Sequence, residues 1–314
     1  MYKTRVSEHP RFEIVAIVDP NDEALARHET KGVLSVSSLA EAVDNTDADA
    51  VIINSPTSTH VENAEYALHA KLHVLCAKPG PMSVRNAYRL RDLSEDYKRV
   101  FKVDYTMLNA PEVDYLHGLF GVYEPMRVST HRVSRGAPRR EGAVWDLLSH
   151  DVALILDVFP RCLVDAVRCE PIIGDGVKAT FISDKGFEFA TLFAAYGSIG
   201  LNEDAWLSDR EAWFDIEENH AYSEQVRSIV WSQTDRSVTI DNGSNMMIQR
   251  FKDSPDPISI GLSDFYADTQ ADGLFFYPLE SMRLAEITNI LSCLEQSLFD
   301  GWSVCVAPGL VGEG

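Results

Sequence analysis

Apolar residues in the first hundred positions fall into short runs separated by polar turns. Phe12 to Val18 (FEIVAIV) is a near-continuous apolar run, which predicts a strand covered on both faces. Ala50 to Asn54 and Leu72 to Cys76 are two more such runs. Between them Val61, Ala64, Ala67 and Leu68 recur at helical spacing, predicting a helix over 61–70. Strand, helix, strand is a βαβ unit, so its strands are expected to be parallel with a right-handed connection. Ser37 to Asp44 predicts a short helix entered through a serine cap. Ser83 to Tyr97 predicts an amphipathic helix with Val84, Ala87, Leu90 and Leu93 on one side, and Val100 to Tyr105 a further strand.

The pattern changes near Leu108, where a domain boundary is expected: 1–108 and then 109–314. A helix is predicted from Asn109 to Leu119 and an alternating strand from Met126 to Ser134. Val144, Leu147, Leu148, Ile155 and Val158 predict a helix over 144–158. Then come runs of five to nine residues: Val164–Cys169, Val177–Ser183, Phe187–Ala195, Gln225–Trp231, Ser237–Ile240 and Met246–Phe251. Asp241-Asn242-Gly243 is a hairpin signal. These runs predict an open, mostly antiparallel sheet. Leu201 to His220, with Trp206, Trp213 and Phe214 among acids, reads as a loop packed on that sheet. A long helix is expected over Leu279–Leu298. The fold class is α/β: a Rossmann-like doubly wound parallel sheet, followed by an α+β domain.

Bulk properties narrow the function. A chain of 314 residues with 45% hydrophobic content is large enough for two cores. A formal net charge of −20 argues against binding nucleic-acid backbone or anionic membranes. No apolar run approaches membrane-spanning length, and MYKTRVSEHPRFE lacks a signal-peptide core. Five scattered cysteines without a CxxC predict reduced thiols in a cytoplasmic setting and no metal site.

Candidate chemistry gathers at the carboxyl ends of the strands, where ligands of such sheets sit. Those ends are Ser55-Pro56-Thr57, followed by His60, and Ala77-Lys78-Pro79. Spacing alone leaves Lys78 open between a solvated loop lysine and a charge that polarises a substrate oxygen. Asp19 ends the first strand, where an acid accepts from adenosine ribose hydroxyls and repels a 2′-phosphate; a helix cap is the other reading. Either Asn21 or Asp22 is placed to cap the following helix. Asp146 and His150 are four apart on one helix face, a structural pair or an oriented acid/base. The basic stretch Arg135–Arg140 (RGAPRR) is a solvated loop or a clamp for an anion.

The segments SPTSTH and VLCAKP, at their observed spacing, resemble the TPTSTH and VLCEKP of the glucose–fructose oxidoreductase / inositol dehydrogenase / MocA family. Asp19 falls in a segment similar to the family's VAVVDP, and 144–151 resembles its GGvlxDlgsHdxD motif through Asp146, His150 and Asp151. The resemblance implies a dehydrogenase using NAD, with NADP disfavoured by Asp19, on a sugar, polyol or related hydroxy/oxo compound. It implies His150 as general acid/base and Lys78 as donor to the same oxygen. Asp146 would orient His150 or bind a neighbouring hydroxyl. Thr57 and His60 would line the cofactor side, with Ser55, Pro56 and Pro79 shaping it. It also implies a homo-oligomer formed through the sheet of the second domain. Ala77 and Ala153 replace usual carboxylates, and Asp104-Tyr105-Thr106-Met107 replaces an NYRF-like segment. No GxGxxG precedes Phe12, so the first strand, glycine loop and most of the first helix are expected to be missing. The sheet would then be incomplete, with unpaired apolar edges at Phe12–Val18 and Ala50–Asn54. A late start, a trimmed chain and degeneration all fit that absence. A non-catalytic dinucleotide or sugar sensor, or a partner subunit, is the alternative function.

Overall fold

The early apolar runs become short parallel strands, each followed by a helix. The computed structural model describes residues 2–120, 125–134, 138–159, 164–172, 175–183, 186, 188–196, 211–216, 228–232, 236–241, 246–271, 278–301 and 303–304. Helix α1 (Tyr2–Glu8) precedes β1 (Ala16–Val18), α2 (Asp22–His28), β2 (Leu34–Val36), α3 (Leu39–Asn45) and β3 (Ala50–Ile53). Then come α4 (His60–His69), β4 (His73–Ala77), α5 (Val84–Tyr97) and β5 (Phe101–Asp104). The helix starts carry their caps. Asn21 Oδ1 accepts from the amides of Glu23 and Ala24, and Ser38 Oγ from that of Glu41.

β1 pairs with β2 in parallel, Ile17 opposite Ser35. A separate parallel sheet has the order β3-β4-β5, with Ala50 opposite His73 and Val74 opposite Phe101. β1 and β3 are therefore each the edge of their own sheet, and no described strand lies between them. One face of β3 and β4 packs on α4 through Ile53, Ala64, Leu68, Val74 and Cys76. Burying side chains of this size stabilises the fold by roughly 1.5–3 kcal/mol each for the larger ones.

The second unit is built on a nine-stranded sheet. After α6 (Pro111–Phe120) come β6 (Pro125–Ser134), a π-helical turn at Val144–Leu148 and α7 (Ser149–Val158). β7 (Val164–Ile172), β8 (Gly176–Ser183), β9 (Glu188–Tyr196), β10 (Glu211–Ile216), β11 (Ser228–Ser232), β12 (Ser237–Asp241) and β13 (Met246–Arg250) follow. The chain closes with α8 (Pro257–Gln270), α9 (Pro278–Asp300) and β14 (Ser303–Val304). Sheet order is β13-β12-β11-β10-β6-β9-β8-β7-β14. Every neighbouring pair is antiparallel except β6 and β9. Alternation puts Ala190, Leu192, Ala194 and Tyr196 of β9 on the buried face, with Thr191 and Phe193 half-buried on the other. Helix α9 docks on β7 where Ser297 Oγ accepts from Cys169 N at 2.9 Å.

Two sequence expectations are corrected. Leu201–His220 is not all loop: Glu211–Ile216 is a strand between β6 and β11, in keeping with its Trp213, Phe214 and Ile216. Residues 201–210 and 217–220, and the hairpin turn at Asn242-Gly243, lie outside the described residues. Helix α8 was not anticipated. Asp256 caps it by accepting from Ser259 N at 3.2 Å, and Pro257 sits in its first turn. Ile258, Leu262 and Phe265 of α8 join Val6, Leu75, Phe12, Ile14, Ala50 and Ile52 in one apolar cluster. The chain accordingly divides into a unit of Met1–Pro81, Arg85–Thr106 and Asp256–Ser281, and one of Met82–Val84, Met107–Pro255 and Met282–Gly314. A single boundary at Leu108 does not account for α8.

Candidate active site

In the first unit the end of β3 is closed by a hydrogen-bonded turn. Thr59 Oγ1 donates to Pro56 O at 2.8 Å and accepts from Ser55 Oγ at 2.7 Å. Asn63 Nδ2 donates to Ser55 Oγ at 3.2 Å, and His60 Nε2 donates to Ser55 O at 2.9 Å. Ser55 and the buried His60 thus build the turn, leaving Pro56 exposed and Thr57 half-buried at its surface. At the end of β1, Asp19 Oδ1 accepts from Asn21 N at 2.9 Å. Asn21, not Asp19, is the helix cap, so the capping alternative for Asp19 is corrected. Asp19 Oδ2 makes no hydrogen bond to a described residue, and the side chain is half-buried at a strand end. That fits a ribose diol, which needs an acceptor.

Lys78 follows β4 directly and is half-buried. Its loop is held from several sides. The Lys78–Pro79 peptide is cis. Tyr105 Oη donates to Pro79 O at 3.3 Å, and Gly80 N donates to Ala77 O at 3.2 Å. Gly80 has φ +74°, and a Cβ there would fall 2.6 Å from Val103 Cγ2. Only glycine satisfies both conditions. Burial pushes the Tyr105 phenol well above its ordinary range, so it stays a neutral donor.

In the second unit Asp146 lies in the π turn and His150 in the first turn of α7. A regular α-helix was expected across both. All five residues of the π turn are buried, and the turn lies against β9 and β6. Such wide turns recur at functional sites. Asp146 is buried, and its Oδ2 accepts from Tyr196 Oη at 2.7 Å. Arg139 Nε stands 3.6 Å from the same oxygen. Burial first, then the bond to Asp146 and its charge, raise the Tyr196 phenol; the Arg139 amide and charge oppose this. The next residue after His150, Asp151, pairs with buried Arg132 of β6. Tyr196, Arg132 and Tyr105 were not singled out from sequence. No local pattern marks them, because their partners are distant in the chain. Of the basic loop, Pro138–Arg140 is described and 135–137 is not. Among the described residues no cluster of His, Cys, Asp and Glu is arranged for a metal, and no helix is long and apolar enough to cross a membrane.

One unit thus carries parallel strands with candidate chemistry at their carboxyl ends, and the other an open mixed sheet. Residues 2–105 match the family described as "Oxidoreductase family, NAD-binding Rossmann fold". Over that segment the chain resembles the glucose–fructose oxidoreductase / inositol dehydrogenase / MocA family. It is 26% identical over 110 residues to the rhizopine catabolism protein MocA of Rhizobium meliloti, covering 35% of each chain. It is 30% identical over 112 residues to the UDP-N-acetylglucosamine 3-dehydrogenase of Acidithiobacillus ferrooxidans, covering 35% of this chain and 36% of that one. These matches span about a third of the relatives' lengths. In fold, the crystal structure of the Acidithiobacillus ferrooxidans enzyme has a TM-score of 0.76 at 18% identity, over 95% of this chain and 93% of that one. A 3-ketoreductase from Actinomadura kijaniata, solved with NADP and TDP-benzene, has a TM-score of 0.75 at 15% identity, over 94% and 92%.

Proposed function

We propose that the protein is a nicotinamide-dependent oxidoreductase that moves a hydride between NAD(H) and a sugar, polyol or related hydroxy/oxo compound. The observation that carries this is the construction around Lys78, a half-buried cation at a strand end whose loop is fixed by Tyr105, Gly80 and Val103. A solvated loop lysine needs no such support. The names of the relatives, a UDP-N-acetylglucosamine 3-dehydrogenase and an inositol 2-dehydrogenase among them, support the substrate class.

The nicotinamide group, when bound, supplies the hydride acceptor or donor. Asp19 holds the adenosine ribose through its unused oxygen, which favours NAD over NADP. Pro56, Thr57 and Pro79 border the cofactor, and Ser55 and His60 keep that turn in shape. His150 exchanges the proton of the reacting hydroxyl, as an imidazole does near neutral pH. Lys78 supplies a positive charge that favours the anionic form of a substrate oxygen. Asp146 stays fixed by Tyr196 and sets the orientation of groups at that turn. A second copy covers the half-exposed face bearing His131, Phe193 and Lys178, which sedimentation analysis tests.

Calorimetry with NADH and NADPH tests the reading. NADH is expected to bind more tightly than NADPH, and Asp19→Ala to narrow the difference. Binding of neither dinucleotide removes the proposal; tighter NADPH binding removes the role of Asp19.

A further inference from the structure

Arg139 stands on a built support. Its carbonyl accepts from Gly142 N at 3.0 Å, and its charge acts on the buried Tyr196 phenol. Tyr196 in turn is bonded to Asp146. The Arg139 side chain is nevertheless 69% exposed, beside an Asp146 side chain that is 8% exposed. At 3.6 Å its Nε is attracted by the Asp146 charge but lies beyond hydrogen-bond reach. The guanidinium makes no hydrogen bond to any described residue. Arg140, the next residue, is likewise exposed.

We infer that Arg139 is an oxyanion-binding residue of this site, and that the sugar or polyol it takes carries a carboxylate or phosphate. This rests on the oxidoreductase reading above. Asp146 aims the guanidinium from 3.6 Å through its Nε and leaves the other N–H donors facing solvent. A planar fork with its donors open to solvent is matched by an oxyanion taking two parallel N–H bonds. Long-range charge does not make this choice. The chain carries a net −20, and Asp146 and half-buried Glu141 offset the charges of Arg139 and Arg140. Selection therefore works at contact distance, through the fork.

The test is titration calorimetry with D-glucose, D-glucuronate and D-glucose 6-phosphate, with NADH binding measured on the same samples. One anionic sugar is expected to bind at least about tenfold more tightly than D-glucose, the scale of a charge-assisted bond. Arg139→Gln should remove that advantage and Arg139→Lys reduce it, with NADH affinity and melting temperature unchanged. Which anion wins separates a carboxylate from a phosphate. Equal binding of all three sugars, or an advantage that survives Arg139→Gln, overturns the inference. An anion preference lost in Arg139→Gln, in a protein that binds no dinucleotide, would sustain this inference while the redox reading fails. NADH binding without an anion preference would sink this inference alone.

Discussion

Arg132 and Asp151 meet fork to fork inside the second unit, Nε to Oδ2 at 3.0 Å and Nη2 to Oδ1 at 2.8 Å. Their side chains are 9% and 3% exposed. The pair ties β6 to the start of α7, one residue beyond His150. Removing one partner strands a buried charge. Asp151→Ala should therefore cost about 3–5 kcal/mol in a denaturant melt. The paired change Arg132→Met with Asp151→Leu should cost much less. Equal losses for the single and paired variants would contradict this account.

Gly80 is constrained twice, by its left-handed backbone and by Val103. Gly80→Ala should destabilise the first unit by about 1–3 kcal/mol. Adding Val103→Ala opens the space but leaves the backbone strained, so it should recover only part of the loss. Full recovery would show that the positive φ matters little.

Lys78→Met keeps the length of the side chain and removes its charge. Turnover with a substrate found by screening should fall at least about 100-fold, the scale of losing one electrostatic donor. Binding of NADH and the melting temperature should change far less. Undiminished turnover would end the catalytic assignment.

His131 stacks on Phe193 with centroids 4.8 Å apart. Burial lowers its pKa below the ordinary 6.5, and the Asp151 charge opposes that shift. The unfolded chain therefore takes up the proton first as pH falls. Stability is retained above 6.5 and lost as pH drops from there towards the folded value. His73, lowered by burial and then by Arg99 against Asp49, has the same sign. Melting temperatures between about pH 7 and pH 5.5 should fall, and less steeply in His131→Phe. Matching slopes would exclude His131 as a contributor.

The sequence carried the local grammar of the fold well. The run at Ala50, the turn at Ser55 and the spacing of Val61 to Leu68 depend on neighbours in the chain, and β3, α4 and β4 formed as expected. Helix α8 was equally legible, with Asp256 as cap, Pro257 behind it and Ile258, Leu262 and Phe265 on one stripe. It went unread because it lies between the last strand run, Met246–Phe251, and the long helix expected from Leu279. The wide turn at Val144–Leu148 left no such trace, since α and π turns share the same apolar spacing over five residues. Nor did the role of Tyr196. Its hydroxyl finds Asp146 only after β9 has been laid beside β6.

That last pairing governs the order of assembly. β6 sits at the centre of its sheet, yet both its neighbours come much later in the chain: Val128 lies opposite Ala190 on one side and Phe214 on the other. During synthesis β6 therefore emerges with both edges open and waits while α7, β7 and β8 are made. The β7–β8–β9 meander pairs locally and can form first, offering β9 as the template on which β6 closes. The helix bearing His150 lies in the chain between β6 and that meander. Once β9 has left the ribosome and before β10 has, the edge of β6 that β10 will cover is open to a passing chain.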